Sequence, residues 1–314
     1  MGVRYFAWSG HSSARSDPPY DVPAEPATES SQAKSCSTGA PIMRSPWRRL
    51  YALPTEHGSW IWLLGPLVVG TAAARQLPFD LVPLALAALA AFLLRQPATL
   101  AVKALSGRRS REDLQPALAW VAVYLLLGGL GLGWLLRLGH GRLLALALPG
   151  LPVFAWHLWL VRRRQERRQP GVEIVAAGTL ALAAPAAYWT AGGGSGRVGW
   201  SLWLLTWLQA AASIVYVHLR LEQRAWPQVT SRSDRWRRGA RALGYAAFNL
   251  CASVALAWLG SAPSLAPVAF GLALADTAEG IARPAISRPA RAIGLRQLAS
   301  SSAFVLLLAL SYLL

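Results

Sequence analysis

Nine long stretches of apolar residues, nearly free of charge, follow one another through most of this chain. They lie at approximately 58–74, 79–94, 116–136, 143–161, 173–190, 199–218, 240–259, 264–282 and 298–314. The hydrocarbon core of a bilayer is about 30 Å thick, so a crossing helix needs roughly 20 apolar residues. Several stretches approach that length. The pattern predicts an all-α, polytopic membrane protein with about nine transmembrane helices.

The distribution of basic residues supports the count of nine helices. The chain has 31 Lys and Arg against 14 Asp and Glu, a formal net charge of +17. If the loops alternate between two sides, 27 of the 31 basic residues fall on one side. Basic loops favour the cytoplasm. We therefore expect a multi-pass protein of the cytoplasmic (inner) membrane, with its N-terminus in the cytoplasm and its C-terminus outside. Basic bursts between apolar stretches are not typical of a nucleic-acid-binding surface.

The first 43 residues differ in composition from the rest. They are rich in Ser, Pro, Ala and acidic residues and have no sustained apolar period, which predicts a disordered N-terminal tail. Residues 44–314 form the predicted transmembrane domain. Met43 begins a basic stretch typical of the start of a membrane protein, so either Met1 or Met43 is the expected start. Cys36 and Cys251 suggest neither a disulfide framework nor a metal site.

An acid and an imidazole, Glu56 and His57, immediately precede the first apolar stretch. Thr55 can cap the helix, with the acid near the positive end of its dipole. Under that interpretation the pair is a cap and an interfacial anchor. Under the functional interpretation, His57 faces a cytoplasmic pocket and handles a proton or an anionic group.

Further polar residues lie where the second and sixth stretches end. Arg95 follows the second stretch, with Pro97 expected to break or kink that helix. His218 and Arg220 follow the sixth, and His218 shares a face with Glu222 if the helix continues. These cations are either ordinary cytoplasmic charge or residues that converge at the mouth of one pocket.

The eighth stretch carries ionisable residues inside an apolar run. Asp276, Glu279 and Arg283 are spaced to lie on one face of a helix. Glu279 and Arg283 have the favourable order for an ion pair, which leaves Asp276 without a partner on its own helix. A charge at this depth is costly and usually has a partner or a function. We expect either a structural contact to Asn249 or Gln209, or a cytoplasm-facing cavity with Asp276 at its floor.

The motif P-T-E-H-G-S-W at residues 54–60, followed by an apolar run with Gly-Pro and a later Arg-Gln-Pro, resembles the YwiC-like family of integral membrane proteins. The resemblance covers the chain from about residue 48 onward. It implies a membrane architecture but no biochemical activity.

A more distant similarity is to the UbiA-type prenyltransferases, which implies a nine-helix bundle with a cytoplasm-facing pocket. Those enzymes hold magnesium diphosphate with Asp-rich motifs, and this chain lacks such motifs at both places. Metal-dependent prenyl transfer is therefore not expected, and neither is a metal or another cofactor.

The Arg residues at those two places suggest a different ligand chemistry. Arg95 and Arg220 can grip an anion directly through charge-assisted hydrogen bonds. The expected ligand is an anionic, lipid-linked or isoprenoid-linked molecule, in a site formed by eight residues: Glu56, His57, Arg95, His218, Arg220, Asp276, Glu279 and Arg283. The alternatives are a small-anion or proton-coupled transporter and a membrane accessory or assembly protein.

Overall fold

The computed structural model describes residues 49–53, 57–165, 169–194, 196–227 and 231–314. Every regular element within those ranges is a helix. The predicted N-terminal tail of residues 1–43 lies outside the described residues, and so does the alternative start at Met43.

Nine long helices succeed one another in the described part of the chain. A helical turn, Arg49–Ala52, and a 3-10 turn, His57–Trp60, precede them. The helices are α1 (Ile61–Ala74), α2 (Leu81–Leu105), α3 (Leu114–Arg137), α4 (Gly150–Arg162), α5 (Pro170–Thr190), α6 (Gly196–Gln223), α7 (Arg232–Trp258), α8 (Ala266–Ala282) and α9 (Ala290–Leu313). A short turn, Leu144–Ala147, precedes α4, and α5 is divided at Leu182 into two parts.

Each predicted apolar stretch corresponds to one of these helices. Within the described residues, seven helical spans are long and apolar enough to cross a membrane, and the one that contains α4 is Gly141–Arg162, which includes the short turns before it. The other two are α1, with 14 residues, and α8, with 17. The all-α, polytopic class is therefore confirmed.

The structure corrects two predicted helix ends. The second helix does not break at Pro97 but continues to Leu105, so Arg95 lies inside α2. Membrane helices tolerate an internal proline when neighbouring groups satisfy the freed carbonyl. The ninth helix begins at Ala290 rather than at residue 298. Arg296 and Gln297 are thus helical residues. Their side chains have partners in neighbouring helices, Asp276 of α8 and Ser213 of α6, so they do not interrupt α9.

The helix α6 occupies the centre of the packing. It contacts α1, α5, α7, α8 and α9, whereas α2 packs mainly on α3 and also meets α4 and α5. Its residues Leu202 and Leu205 are fully buried beside Phe270 of α8 and Leu308 of α9. A central position for α6 brings its polar residues close to both α8 and α9.

Two glycines allow close approach between helices. A side chain at Gly70 of α1 would overlap the backbone carbonyl of Ala184 in α5. A side chain at Gly131 of α3 would meet the backbone of α2 near Ala87. Small residues at helix contacts are typical of membrane proteins, where close packing drives association.

Candidate functional site

Three helices bring their polar residues together at one end of the packing, where α6 and α8 end and α9 begins. We call it the Gln223 end. The backbone N–H of Ser287 donates to the carbonyl of Arg224, and the Arg224 side chain donates to the carbonyl of Arg288 at 2.8 Å. These bonds connect the chain that follows α6 with the loop between α8 and α9.

The centre of the site is Asp276, whose two carboxylate oxygens both accept from α9. Arg296 Nη2 donates to Asp276 Oδ1 at 2.7 Å, and Ser300 Oγ donates to Asp276 Oδ2 at 3.1 Å. The same Arg296 nitrogen donates to Glu279 Oε2 at 3.1 Å. Glu279 also accepts from Arg283 at 3.3 Å, the pair predicted from their spacing. One guanidinium thus bridges both acids of α8. We call Asp276, Glu279, Arg296 and Ser300 the Asp276 cluster.

Helical spacing explains why these side chains meet. Asp276 and Glu279 are three residues apart on α8, and Arg296 and Ser300 are four apart on α9, so each pair shares one face of its helix. The helices α8 and α9 pack against each other. At 1.5 Å per residue, Asp276 lies about 9 Å from the end of α8.

A buried arginine, Arg220, lies beside the cluster but is bound elsewhere. Its Nη1 donates to the carbonyls of Gly280 and Arg283, at 2.5 and 2.9 Å, and to Gln223 Oε1 at 2.9 Å. The last carbonyls of a helix have no partner within the helix, and a cation there also complements its dipole. Arg220 therefore stabilises the end of α8. Its predicted contact with an anion stays a prediction.

A second group of polar side chains continues from the cluster towards the middle of α6. Gln297 Nε2 donates to Ser213 Oγ at 2.8 Å and to Ser301 Oγ at 3.2 Å. These bonds link α9 to α6. Polar side chains from two helices thus extend the site beyond Asp276.

A small cavity of about 20 Å³ lies beside Asp276, between α6, α7, α8 and α9. Its polar lining comprises Gln209, Ser213, Tyr216, Asn249, Asp276, Thr277, Gln297 and Ser300. A second cavity, of about 30 Å³, shares Gln209 and Ser213 and lies towards α1 and α5. A cavity of roughly 10–15 Å³ is enough for one water molecule. Each of the two therefore has room for water.

The cavity wall includes a polar atom without a partner among the described residues. Asn249 is 1% exposed and donates through Nδ2 to the carbonyl of Leu208 at 2.7 Å. Its Oδ1 atom is buried and accepts no hydrogen bond. A buried acceptor of this kind in a polar cavity is typical of a bound water or another donor. Gln209 and Asn249 are the predicted structural contacts of Asp276, and both line the cavity beside it. The hydrogen bonds to the Asp276 carboxylate come instead from Arg296 and Ser300 of α9.

His218 pairs with a residue of α5. Its Nε2 lies 3.0 Å from Glu173 Oε2, and both side chains are partly exposed. The pair joins α5 to α6 at the Gln223 end. The sequence spacing places Glu222 on the same helical face as His218, but the acid that His218 contacts is Glu173 of α5.

The remaining predicted site residues lie in or before the first two helices. Arg95 is a partly buried residue of α2. His57 begins the 3-10 turn before α1, and its side chain lies outside the described part of the structure, as does the whole of Glu56. That these three residues join the Asp276 cluster stays a prediction.

Sequence reasoning missed the α9 partners of Asp276. Arg296 precedes residue 298, where the ninth apolar stretch is predicted to begin, and Ser300 is a small polar residue within that stretch. A signal was present: the polar residues Arg296, Gln297, Ser300 and Ser301 recur at helical spacing within one stretch. Extending the ninth helix by two turns towards its N-terminus would have revealed a polar face.

The exterior of the helices identifies the class of protein. Large apolar side chains are exposed along several helices, among them Leu125, Leu126, Phe248 and Leu306. Soluble monomers rarely expose extensive apolar surface. Together with the seven long apolar helices, this surface defines a multi-pass α-helical membrane protein.

Residues 53–188, which extend from the turn before α1 almost to the end of α5, match the family model of the YwiC-like proteins. The match confirms the resemblance carried by the Glu-His-Gly-x-Trp motif over this segment, which is less than half of the chain. The helices α6 to α9, which hold the Asp276 cluster, lie beyond the match. No curated protein and no solved structure matches the chain. The similarity to UbiA-type prenyltransferases has no support from these comparisons.

Proposed function

We propose that the Gln223 end faces the cytoplasm and that the protein lies in the cytoplasmic (inner) membrane. The alternation of basic loops supports this orientation, because only Arg75, Arg137, Arg142 and Arg197 fall on the other side. The N-terminus is then cytoplasmic and the C-terminus external.

A set of reporter fusions tests the orientation. A reporter that is active only in the cytoplasm is expected to work after Arg109, Arg164 or Arg237. It is expected to be inactive after Gly194. Activity after Gly194 would contradict both the orientation and the alternation of nine crossings.

The protein's proposed role is to bind an anionic ligand at the Asp276 cluster. The observation that carries this proposal is the bridging position of Arg296, which offers one nitrogen to two carboxylates. Guanidinium has five N–H donors in a planar fork that matches carboxylate and phosphate. Both described contacts with the acids use Nη2, so an anion that binds Nη1 and Nη2 together replaces one of these contacts and uses the planar pair of donors. The side chain of Arg296 is 37% exposed, which makes it accessible to one.

The basic loops support an anionic rather than a cationic ligand. A surface on which most of the chain's basic residues gather attracts anions and raises their local concentration. The cavities beside Asp276 are water-sized, so the charged group docks at the rim and the rest of the ligand remains outside. That group is a carboxylate or phosphate, carried by a lipid or isoprenoid chain or by a small soluble molecule. The predicted residues Glu56, His57, Arg95, His218, Arg220 and Arg283 contribute to the rim in this proposal.

Binding measurements on the full chain in detergent test the site. Pyrophosphate and farnesyl diphosphate share a charged group, so comparing them separates a soluble anion from an isoprenoid-linked one. Removing one charge-assisted hydrogen bond costs about 1.5–3 kcal/mol, or roughly ten- to a hundred-fold in affinity. We expect Arg296→Gln to weaken binding by this factor and Arg296→Lys to recover part of it, since an ammonium lacks the fork.

The matched control is Arg291→Gln, which removes an exposed arginine from the same helix. It is expected to leave the affinity unchanged. Equal losses in the two variants would mean that overall charge, rather than the Asp276 cluster, attracts the anion. Mass spectrometry of the purified protein for co-purified phosphates or carboxylates identifies the natural ligand.

A carrier for a small anion is the second candidate function. The polar chain from Asp276 through Gln297 to Ser213, with the second cavity beyond it, favours this alternative. Uptake of the bound anion into vesicles containing the protein would support a carrier, and binding without uptake would exclude one.

A further inference from the structure

The charges of the Asp276 cluster and of its buried neighbour Arg220 balance without any ligand. Asp276 and Glu279 supply two negative charges, and Arg296 and Arg220 supply two positive ones. Arg283, which is 82% exposed, is largely screened by solvent. A monoanion placed on Arg296 therefore adds an uncompensated negative charge at the edge of a low-dielectric region.

Asp276 is most affected by this added charge. If the ligand takes the Nη2 hydrogen bond of Arg296, the carboxylate loses its 2.7 Å contact. An ionised carboxylate without a cation in an enclosed site is costly, and such a group neutralises by taking a proton. Glu279 is 47% exposed and keeps its ion pair with Arg283, so it is less affected than Asp276 and does not need to take a proton.

The cavity beside Asp276 supplies a route for that proton. Its wall holds Asp276 together with the orphan Oδ1 atom of Asn249. The space is large enough for a water that donates to Asn249 Oδ1, and Asp276 lines the same cavity. The water-sized volume and the unpartnered acceptor point independently to a bound hydrogen-bond donor.

We propose that anion binding at Arg296 is coupled to uptake of one proton by Asp276. This inference rests on the proposed anion site. The proton passes from solvent through the cavity water to a carboxylate oxygen of Asp276, whose new O–H then donates within the cavity. With a monoanion the net charge of the site is then unchanged, and with a dianion such as sulfate the proton offsets one of the two added charges.

The other groups that face Asp276 are compatible with this assignment. From α6, Tyr216 donates its hydroxyl to the Asp276 carbonyl at 3.2 Å, and Arg220 is held by the end of α8. From α7, Ala246 and Asn249 form the cavity wall, and Arg235 donates to the carbonyl of Ala282. From α9, Arg296 and Ser300 contact the carboxylate directly. Asp276 is therefore the enclosed acid that loses its cation when the anion binds.

The test measures the affinity of the full-length protein for sulfate as a function of pH, because the charge of sulfate is constant near neutrality. If one proton is taken up, the affinity falls about tenfold per pH unit wherever Asp276 is ionised in the free protein. Asp276→Asn keeps the shape of the side chain and one of its two acceptor oxygens but cannot take the proton, so its affinity is expected to be independent of pH. Glu222→Gln, at an exposed acid of α6, is expected to keep the wild-type slope.

Each outcome has a distinct meaning. A sloped wild type with a flat Asp276→Asn supports the coupling. Binding that is independent of pH in the wild type, yet weakened by Arg296→Gln, overturns the coupling and leaves the anion site standing. The same slope in wild type and Asp276→Asn assigns the proton to another group and overturns the role of Asp276. Sulfate binding that Arg296→Gln does not change overturns the anion site and the coupling together. Size-exclusion chromatography in detergent verifies that the variants are folded.

Discussion

The family-matched helices α1 to α5 and the helices α6 to α9 use polar residues differently. In α1 to α5, most polar contacts between elements lie near helix ends, and the exceptions are Tyr124 of α3, which donates to the carbonyl of Ala52, and Thr99 of α2, which contacts His157 of α4. Tyr51 donates to Asp113 Oδ1 at 2.5 Å, Arg109 pairs with the same carboxylate at 2.9 Å, and Arg108 donates to the carbonyl of Val161. In α6 to α9, such contacts begin at the Gln223 end and continue to Asn249, which bonds the middle of α6.

The difference separates two roles for polar groups in a membrane protein. A contact near a helix end fixes the chain where water and lipid headgroups are close, and it costs little. A polar group deeper in the packing needs a partner or a function. The segment that matches the family model therefore carries mainly contacts near helix ends, and the proposed site lies in the helices beyond the match.

The largest effect is expected from Arg220→Met, which removes the most buried cation of α6 to α9 among the described residues. The carbonyls of Gly280 and Arg283 and the Gln223 side chain lose a donor. Gly280 and Gln223 keep one other donor each, but a hydrogen bond to a charged group contributes about 1.5–3 kcal/mol and three are lost. We therefore expect the free energy of unfolding to fall by about 3 kcal/mol or more. Unfolding by SDS titration in mixed micelles measures it.

Arg224→Met is the control for this variant. Arg224 lies four residues further along and makes one exposed bond, to the carbonyl of Arg288. It is expected to change the free energy of unfolding by less than about 1 kcal/mol. Similar losses in both variants would remove the distinction between a buried and a surface arginine at this end.

An intermediate effect is expected from Asp113→Asn, in the family-matched region. Asp113 is 1% exposed, and a charge-assisted bond contributes about 1.5–3 kcal/mol. We expect a loss of stability of about 1–3 kcal/mol, with affinity for pyrophosphate unchanged. Glu112→Gln, at the exposed neighbouring acid, is the matched control. A loss of ligand affinity in Asp113→Asn would contradict the proposed difference between the two regions, since it would place part of the ligand site in α1 to α5.

Hydropathy predicted the nine helices well because each crossing helix needs a similar length of apolar residues. It predicted their ends less well, since apolar composition marks membrane depth and not the length of the helix. Arg95 and Pro97 continue α2, and Arg296 and Gln297 belong to α9.

The partners of the site residues were harder to predict than the residues themselves. Spacing along α8 correctly placed Asp276, Glu279 and Arg283 on one face. It carried no information about which helix faces them, because that depends on the packing and rotation of α9. The same reason explains the pairing of His218 with Glu173 rather than with a residue of its own helix.

A smaller effect is expected from His218→Gln, at the contact between α5 and α6. Partly exposed ion pairs contribute about 0.2–1 kcal/mol. We expect a loss in that range, and a double-mutant cycle with Glu173→Gln measures the interaction energy. An interaction energy above this range would show that the boundary between the two regions is held by charge as well as by packing.

The smallest effect is expected from removing divalent metal. Both carboxylates of the Asp276 cluster already accept from Arg296, so the proposed anion site works without a bridging cation. Pyrophosphate affinity is expected to be the same in EDTA as in magnesium. Binding that requires magnesium would contradict direct contact with Arg296 and would assign a metal to Asp276 and Glu279.

The bonds of Arg220 also set an order of assembly. The ribosome completes α6 before it has made Gly280 and Arg283, which supply the acceptors for this cation. Until α8 is in place, Arg220 has to remain at the interface, and α6 cannot settle to its final depth. We therefore expect a chain truncated after α7 to leave residues near Ser213 accessible to water-soluble thiol reagents when they are replaced by cysteine. The full chain is expected to protect them, since Ser213 is buried when all the helices are in place.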